Sequence, residues 1–193
     1  MSGSLITACI GSSDPLVREY VHDYGLCCLG ISGLEATLRH HVELRAKLAA
    51  KWVPAGDSMM VPPKKLSAIK RKYAEQTLGT LVKAFAKAGA DPALVAEIEE
   101  VRQARNLLLH NHIQLTDMTT RTIPTAGIQQ LRTALRELAE AARRTAHAVQ
   151  QADVALYEAL NKRMRLEGVP RQTGVAPFEH MIADFQRTLR NSA

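Results

Sequence analysis

Aromatic residues are scarce in this chain: one Trp, four Tyr and three Phe, 4% of 193 residues. A core with so few rings must be aliphatic, built from Leu, Ile, Val and Ala, which is a helix-bundle composition more than a sheet composition. Cysteine is equally sparse. Cys9, Cys27 and Cys28 are an odd number without zinc-type spacing, and the adjacent pair reads as two small buried hydrophobes. Free thiols point to a reducing, cytosolic compartment. No apolar run approaches the ~20 residues that span a bilayer, and Met1 to Ser4 lack the basic region that opens a signal peptide. The expectation is a soluble, cytoplasmic protein with no membrane attachment. Also missing are an alternating strand pattern longer than about four residues, an internal repeat, a phosphate-cradling glycine loop, a G-x-S-x-G elbow and a zinc ribbon.

What the chain does have is basic charge and helical periodicity. The net charge is +6 and the pI about 9.4, a balance that suits an anionic partner such as RNA or DNA but also fits a merely soluble basic protein. Hydrophobic content of 46% against 23% charged argues for a folded chain, and its length fits one domain.

Ser13-Asp14-Pro15 is a cap-then-proline helix start. Val17, Val21, Tyr24, Cys28, Ile31, Leu38, Val42, Ala49 and Trp52 then recur at helical spacing up to Pro54. Gly25, Gly30 and Gly33 weaken that helix, and predict either a division near Gly25 or a close approach by another helix. Residues 53–63 read as a connection. A second helix is expected over 64–88, with Lys64, Lys65, Lys70, Arg71 and Lys72 in its first turns as the best electrostatic footprint for a phosphate backbone. For any single lysine a solvated helix face is the simpler reading.

Gly89-Ala90 closes that helix and Asp91-Pro92 opens a third, whose stripe runs through Leu94, Ile98, Val101, Arg105, Leu108 and His112. Thr116 to Thr125 is a connection. A fourth helix over 126–167 keeps a near-strict heptad through Ile128, Leu131, Leu135, Leu138, Ala142, Thr145, Val149, Ala152 and Leu156. It would run on the order of 60 Å, long enough that it should bend or pack against another subunit. Gly168 and Pro170 stop it. Residues 171–177 read as a linker, and 178–190 as a short amphipathic helix through Phe178, Met181, Ile182, Phe185 and Leu189. The expected architecture is therefore all-α, an up-and-down four-helix bundle over 15–168 with a long fourth helix. A tail over 1–14 precedes it, and a linker with a C-terminal helix follows over 169–193.

The chemistry concentrates in Arg105-Asn106-Leu107-Leu108-Leu109-His110-Asn111-His112. An arginine on an apolar stripe cannot shed its charge, so it must be paired, exposed at an end, or used to hold an anion. A structural role, with Arg105 paired to Glu100 or Glu35, is the simple alternative. Arg105-Asn106-x-x-x-His110 resembles the R-x4-6-H motif of HEPN-domain proteins, in which the arginine and histidine lie on the third of four bundled helices. That resemblance covers most of the chain, and implies a metal-independent endoribonuclease of the toxin or phage-defence kind. It further implies a homodimer whose two motifs form one composite site, and a separate antitoxin or regulatory protein as possible partner. It carries over Arg105, Asn106 and His110 as catalytic residues, with RNA as substrate and no cofactor or metal. His112 also satisfies the motif's spacing and, two helical turns from Arg105, shares its face more closely, whereas His110 needs the helix to turn or unwind near Asn111. Both stay open.

The chemistry suits the residues. A histidine moves protons near neutral pH, a guanidinium stabilises phosphoryl charge, and an asparagine orients either. His22 with His40-His41 lacks the geometry of a metal site, because adjacent histidines on a helix diverge. Trp52 reads as core, Glu97, Glu99 and Glu100 as a solvated face, and Arg143-Arg144 and residues 162–165 as exposed helix. A non-catalytic helical scaffold or regulatory protein, or a module that binds RNA without cutting it, would carry the same features.

Overall fold

A computed structural model describes residues 15–56, 58–117 and 125–164, the backbone alone for 109–117 and 125. The expected N-terminal tail, the connection after the third helix and the C-terminal linker and helix lie outside the described residues. The chain is predominantly helical. Its elements are α1 (Pro15–Ala49), β1 (Val53–Ala55), β2 (Ser58–Met60), α2 (Pro63–Ala74), α3 (Leu78–Lys87), α4 (Pro92–Asp117) and α5 (Thr125–Met164). No described helix is long and apolar enough to cross a membrane.

α1 does not divide near Gly25. It runs unbroken from Pro15 to Ala49, and its glycines differ in role. A Cβ on Gly25 or Gly33 would meet nothing within 4 Å, whereas one on Gly30 would stand 3.1 Å from the Ala139 carbonyl oxygen of α5. Gly30 is thus the point of close helix approach. The core forms along this contact from Cys27, Leu34, Leu38, Val42 and Leu44 of α1 with Leu135, Leu138, Ala142, Val149 and Leu156 of α5. Cys27 is buried as expected, but Cys28 is exposed, because one step around a helix is about 100° and only one of two neighbours can face the seam. Burial, and then the neighbouring Cys28, push the Cys27 thiol up to about 11.

The two long helices are parallel. Asp23 meets Arg132 and Arg136, Gly30 meets Ala139, His41 meets Asp153, and Arg163 meets the Leu48 and Ala50 carbonyls at the far end. This explains the length of α5 without a second subunit: α1 accompanies it from end to end. It also departs from the expected up-and-down order, in which the first and last of four helices run antiparallel. The cause is an extra element. The expected helix over 64–88 is interrupted at Glu75-Gln76-Thr77, where side chains take the carbonyls that would have continued the ladder. Arg39 donates through Nε to the Tyr73 oxygen at 2.9 Å, and Gln76 through Nε2 to the Lys72 oxygen at 2.9 Å. Thr77 is extended, with φ −72 and ψ 161, and α3 starts afresh at Leu78. α3 packs on α1 and α4, and α4 on α5.

Two smaller differences have local reasons. The connection over 53–63 contains a two-stranded hairpin, Val53 paired with Met60 and Ala55 with Ser58, turned at Gly56 with φ 58. Trp52 folds back into the core instead of extending α1, donating Nε1–H to the Lys47 oxygen at 2.9 Å. Along α5 the heptad positions are buried at Leu135, Leu138, Ala142, Thr145, Val149 and Leu156, and the exception is Ala152, which is exposed while its neighbour Asp153 takes the buried place. The start of α4 follows the cap-then-proline reading: Asp91 Oδ1 accepts from the Ala93 amide at 3.0 Å. Gly89, with φ 80, ends α3.

Replacing Gly30 with Leu forces α1 away from Ala139 along the main seam. The expected cost is roughly 1–3 kcal/mol, the ordinary cost of overpacking, read as a lowered thermal midpoint by circular dichroism. An unchanged midpoint would mean the approach at Gly30 is dispensable.

Candidate nucleic-acid site

Arg105 lies on the core-facing stripe of α4, between the buried Ile98 and Val101 and the half-buried Leu108. It is half-buried itself. Its Nη1 donates to the Asn106 side-chain oxygen at 3.2 Å, so the two leading motif residues are joined. Among the described residues no carboxylate lies within ion-pairing distance of it, so the expected pairing with Glu100 or Glu35 is not formed there. Across the interior it acts on Tyr24 of α1. Burial, then Cys28, raise the Tyr24 phenol, and the Arg105 charge opposes them. Leu107, one step around the helix, is 65% exposed, so the motif sits where core meets solvent.

α4 continues without a break through His110, Asn111 and His112 to Asp117. On a continuous helix the position of His112 lies within roughly 20° of Arg105, and that of His110 about 140° away. The turn or unwinding that His110 needs is absent from the backbone. Register alone therefore places residue 112 on Arg105's face.

Lys64, Lys65, Lys70, Arg71 and Lys72 are all exposed on α2. Lys64, Lys65, Arg71 and Lys72 fall within an arc of roughly 120° that adjoins the buried Ile69 and Tyr73, while Lys70 falls on their other flank. The Lys72 ammonium stands 5.2 Å from the Tyr73 ring centroid. α2 ends beside Arg39 of α1, whose Nε binds the Tyr73 carbonyl.

Sequence reasoning missed a set of buried polar contacts between α1 and α5. Asp23, 3% exposed, accepts from Arg132 Nε at 2.8 Å and Arg136 Nε at 2.9 Å, and Arg132 also pairs with Glu19. Burial alone would raise the Asp23 carboxyl, but the two guanidiniums outweigh it and hold it below the ordinary carboxylate range. His41, 1% exposed, donates Nδ1–H to Asp153 Oδ1 at 2.6 Å and meets Phe85 edge to face. His40 bonds the Tyr157 hydroxyl, and burial lowers its pKa. These contacts occupy His40 and His41, and among the described residues no three His, Cys, Asp or Glu side chains group as a metal site. The signal was available. Asp23 lies four residues before Cys27 and His41 three after Leu38, both on the core stripe. Arg163 is exposed as expected, and from the surface it binds the carbonyls at the end of α1 and stands over the Trp52 ring at 5.6 Å.

Comparison of the chain with known family models, curated proteins and solved structures finds no match in any of the three.

The pKa directions fix how stability follows pH. His40 and Asp23 both have folded values below their ordinary 6.5 and 3.8. The unfolded chain therefore takes up their protons first, and their contributions, complete above those values, are lost as pH falls. Cys27, raised to about 11 from 9.0, acts in the opposite sense, losing its contribution as pH rises above 9. The thermal midpoint is expected to fall in two acid steps, one beginning near pH 6.5 and one below 3.8, and Asp23→Asn should remove the second. A midpoint that rose on acidification through pH 6.5 would contradict this.

Proposed function

We propose that the chain is an Arg/His endoribonuclease of the HEPN type, metal-independent and working as a homodimer in which two motif helices face one RNA strand. The observation that carries the reading is Arg105, a permanent cation on the packing stripe of α4, bonded to Asn106 and without a carboxylate partner among the described residues. A charge in that position is stabilised by an anion, and a phosphodiester fits.

In this reading the RNA 2′-hydroxyl attacks its own phosphorus. A histidine, His112 by register or His110 by motif, accepts the proton, and the bond to the 5′-oxygen breaks. The products are a 2′,3′-cyclic phosphate and a 5′-hydroxyl, the leaving oxygen being protonated by the second histidine of the dimer or by water. Arg105 holds the phosphoryl oxygens where charge gathers, and Asn106 fixes the guanidinium. Lys64, Lys65, Arg71 and Lys72 hold the backbone of the same RNA. The resemblance that suggests this activity also suggests a toxin or phage-defence role, with a separate antitoxin as possible partner.

The second reading is RNA binding without cleavage on the same helical scaffold, favoured by the exposed basic arc of α2. Single-turnover cleavage of a labelled RNA separates the two. Arg105→Ala should lose about two to three orders of magnitude, and the working histidine, replaced by Ala at 110 or at 112, about two to four. Full activity in all three variants would remove the enzyme. Replacing Lys64, Lys65, Arg71 and Lys72 with Gln should weaken binding and flatten its dependence on salt in both readings, by up to about one unit of slope for each phosphate no longer neutralised. An unchanged slope would exclude α2 as the RNA-binding surface.

A further inference from the structure

The outer face of α1 carries two large exposed apolar side chains one turn apart, a pairing found on no other described helix. From Gly25 to Ala36 every exposed residue is uncharged, on a chain that is 23% charged. Leu26 and Leu29, one turn apart, are 41% and 70% exposed. Gly25 and Gly33 leave open hollows on either side of Leu29, since a Cβ at each would meet nothing within 4 Å. The other large exposed apolar side chains, such as Leu107 on α4 and Val154 on α5, stand singly. Single exposed hydrophobes need no explanation, but paired leucines on an uncharged face of about three turns do.

The chain contains a segment of matching shape. Of its three phenylalanines only Phe85 is among the described residues, buried in the core; the other two, Phe178 and Phe185, lie in 178–190. In helical register Phe178, Met181, Ile182, Phe185 and Leu189 share an arc of roughly 100°, with Glu179, Asp184, Arg187 and Arg190 outside it. Such a helix would need an apolar surface to cover its stripe.

We propose that residues 178–190 fold back as a helix onto the uncharged face of α1 between Gly25 and Ala36, with the phenylalanines seated beside Leu26 and Leu29. Lengths agree. α5 ends at Met164 level with the end of α1, where Arg163 binds the Leu48 and Ala50 carbonyls. From there to Ala36 is roughly 20 Å along α1, and residues 165–177 reach about 40 Å extended. A helix over 178–190 is roughly 18 Å long, and Gly25 to Ala36 spans roughly 17 Å. A tethered segment is favoured over a second copy by area. One helix face buries well under the ~800 Å² per partner of a stable association, but a linked helix avoids most of the entropy lost in a bimolecular encounter.

The test is tryptic digestion of the full chain, comparing initial cleavage after Arg171, in the linker, with cleavage after Arg187. Docking predicts cleavage after Arg187 at least about tenfold slower than after Arg171. Leu29→Asp and Phe185→Asp should each remove that protection, and the double variant should do no more than either alone. Val154→Asp, an exposed apolar position elsewhere, should leave it intact. Leu29 is exposed, so its replacement does not threaten the core, and unchanged far-ultraviolet dichroism confirms that. Equal cleavage at both arginines in the unaltered chain would overturn the proposal, as would protection that survives Leu29→Asp. So would sedimentation in which Leu29→Asp turns a dimer into a monomer while cleavage after Arg187 is unchanged, because a second copy would then be the occupant.

Discussion

The parallel contact of α1 and α5 is the constraint on which the other elements depend. It is held at one end by Asp23 between Arg132 and Arg136, in the middle by the close approach of Gly30 to Ala139, and further on by His41 with Asp153. Buried charges of this kind add little net stability, since their desolvation offsets most of the attraction, but breaking one partner away is costly. Their effect is to fix register. A slip of one position would bury Asp23 or Asp153 without its partner, so only one alignment of the two long helices is acceptable. α2 and α3 then lie on α1, and α4 closes against α3 and α5.

Helical content, the start of α4 and the stripe Leu94–Ile98–Val101–Leu108 were legible in the sequence because they depend on local spacing and capping. What was not legible depends on the partner surface. Cys27 and Cys28 have equal claims on the core until the position of α5 is known. Gly25, Gly30 and Gly33 look alike as letters, yet only Gly30 faces a backbone. The break at Glu75–Thr77 leaves no proline or glycine behind. What accompanies it is Arg39, far away in the chain, which donates to the Tyr73 carbonyl. That one break added a helix and reversed the expected relation of the first and last. The long fourth helix, expected to bend or to pack against another subunit, has its companion within the same chain.

The candidate site was legible as residues but not as geometry. The stripe put Arg105 toward the interior and the motif put Asn106 beside it, and the two are bonded. Which histidine shares the face of Arg105 depends on whether α4 bends, which spacing alone leaves open; the helix is continuous to Asp117, so position 112 does and position 110 does not. The lysines and arginines of α2 are exposed as expected.

A composite site requires two copies of Arg105 to face one strand, and this is directly measurable. A single spin label at Leu107→Cys, with Cys9 and Cys28 replaced by Ser, reports the distance between motif helices by pulsed dipolar spectroscopy. Facing motifs predict a narrow distribution within about 30 Å, a few helix diameters, sharpened by a non-cleavable RNA. A chain that stays monomeric at working concentration, or a dimer whose labels lie well beyond that distance, would contradict a shared site.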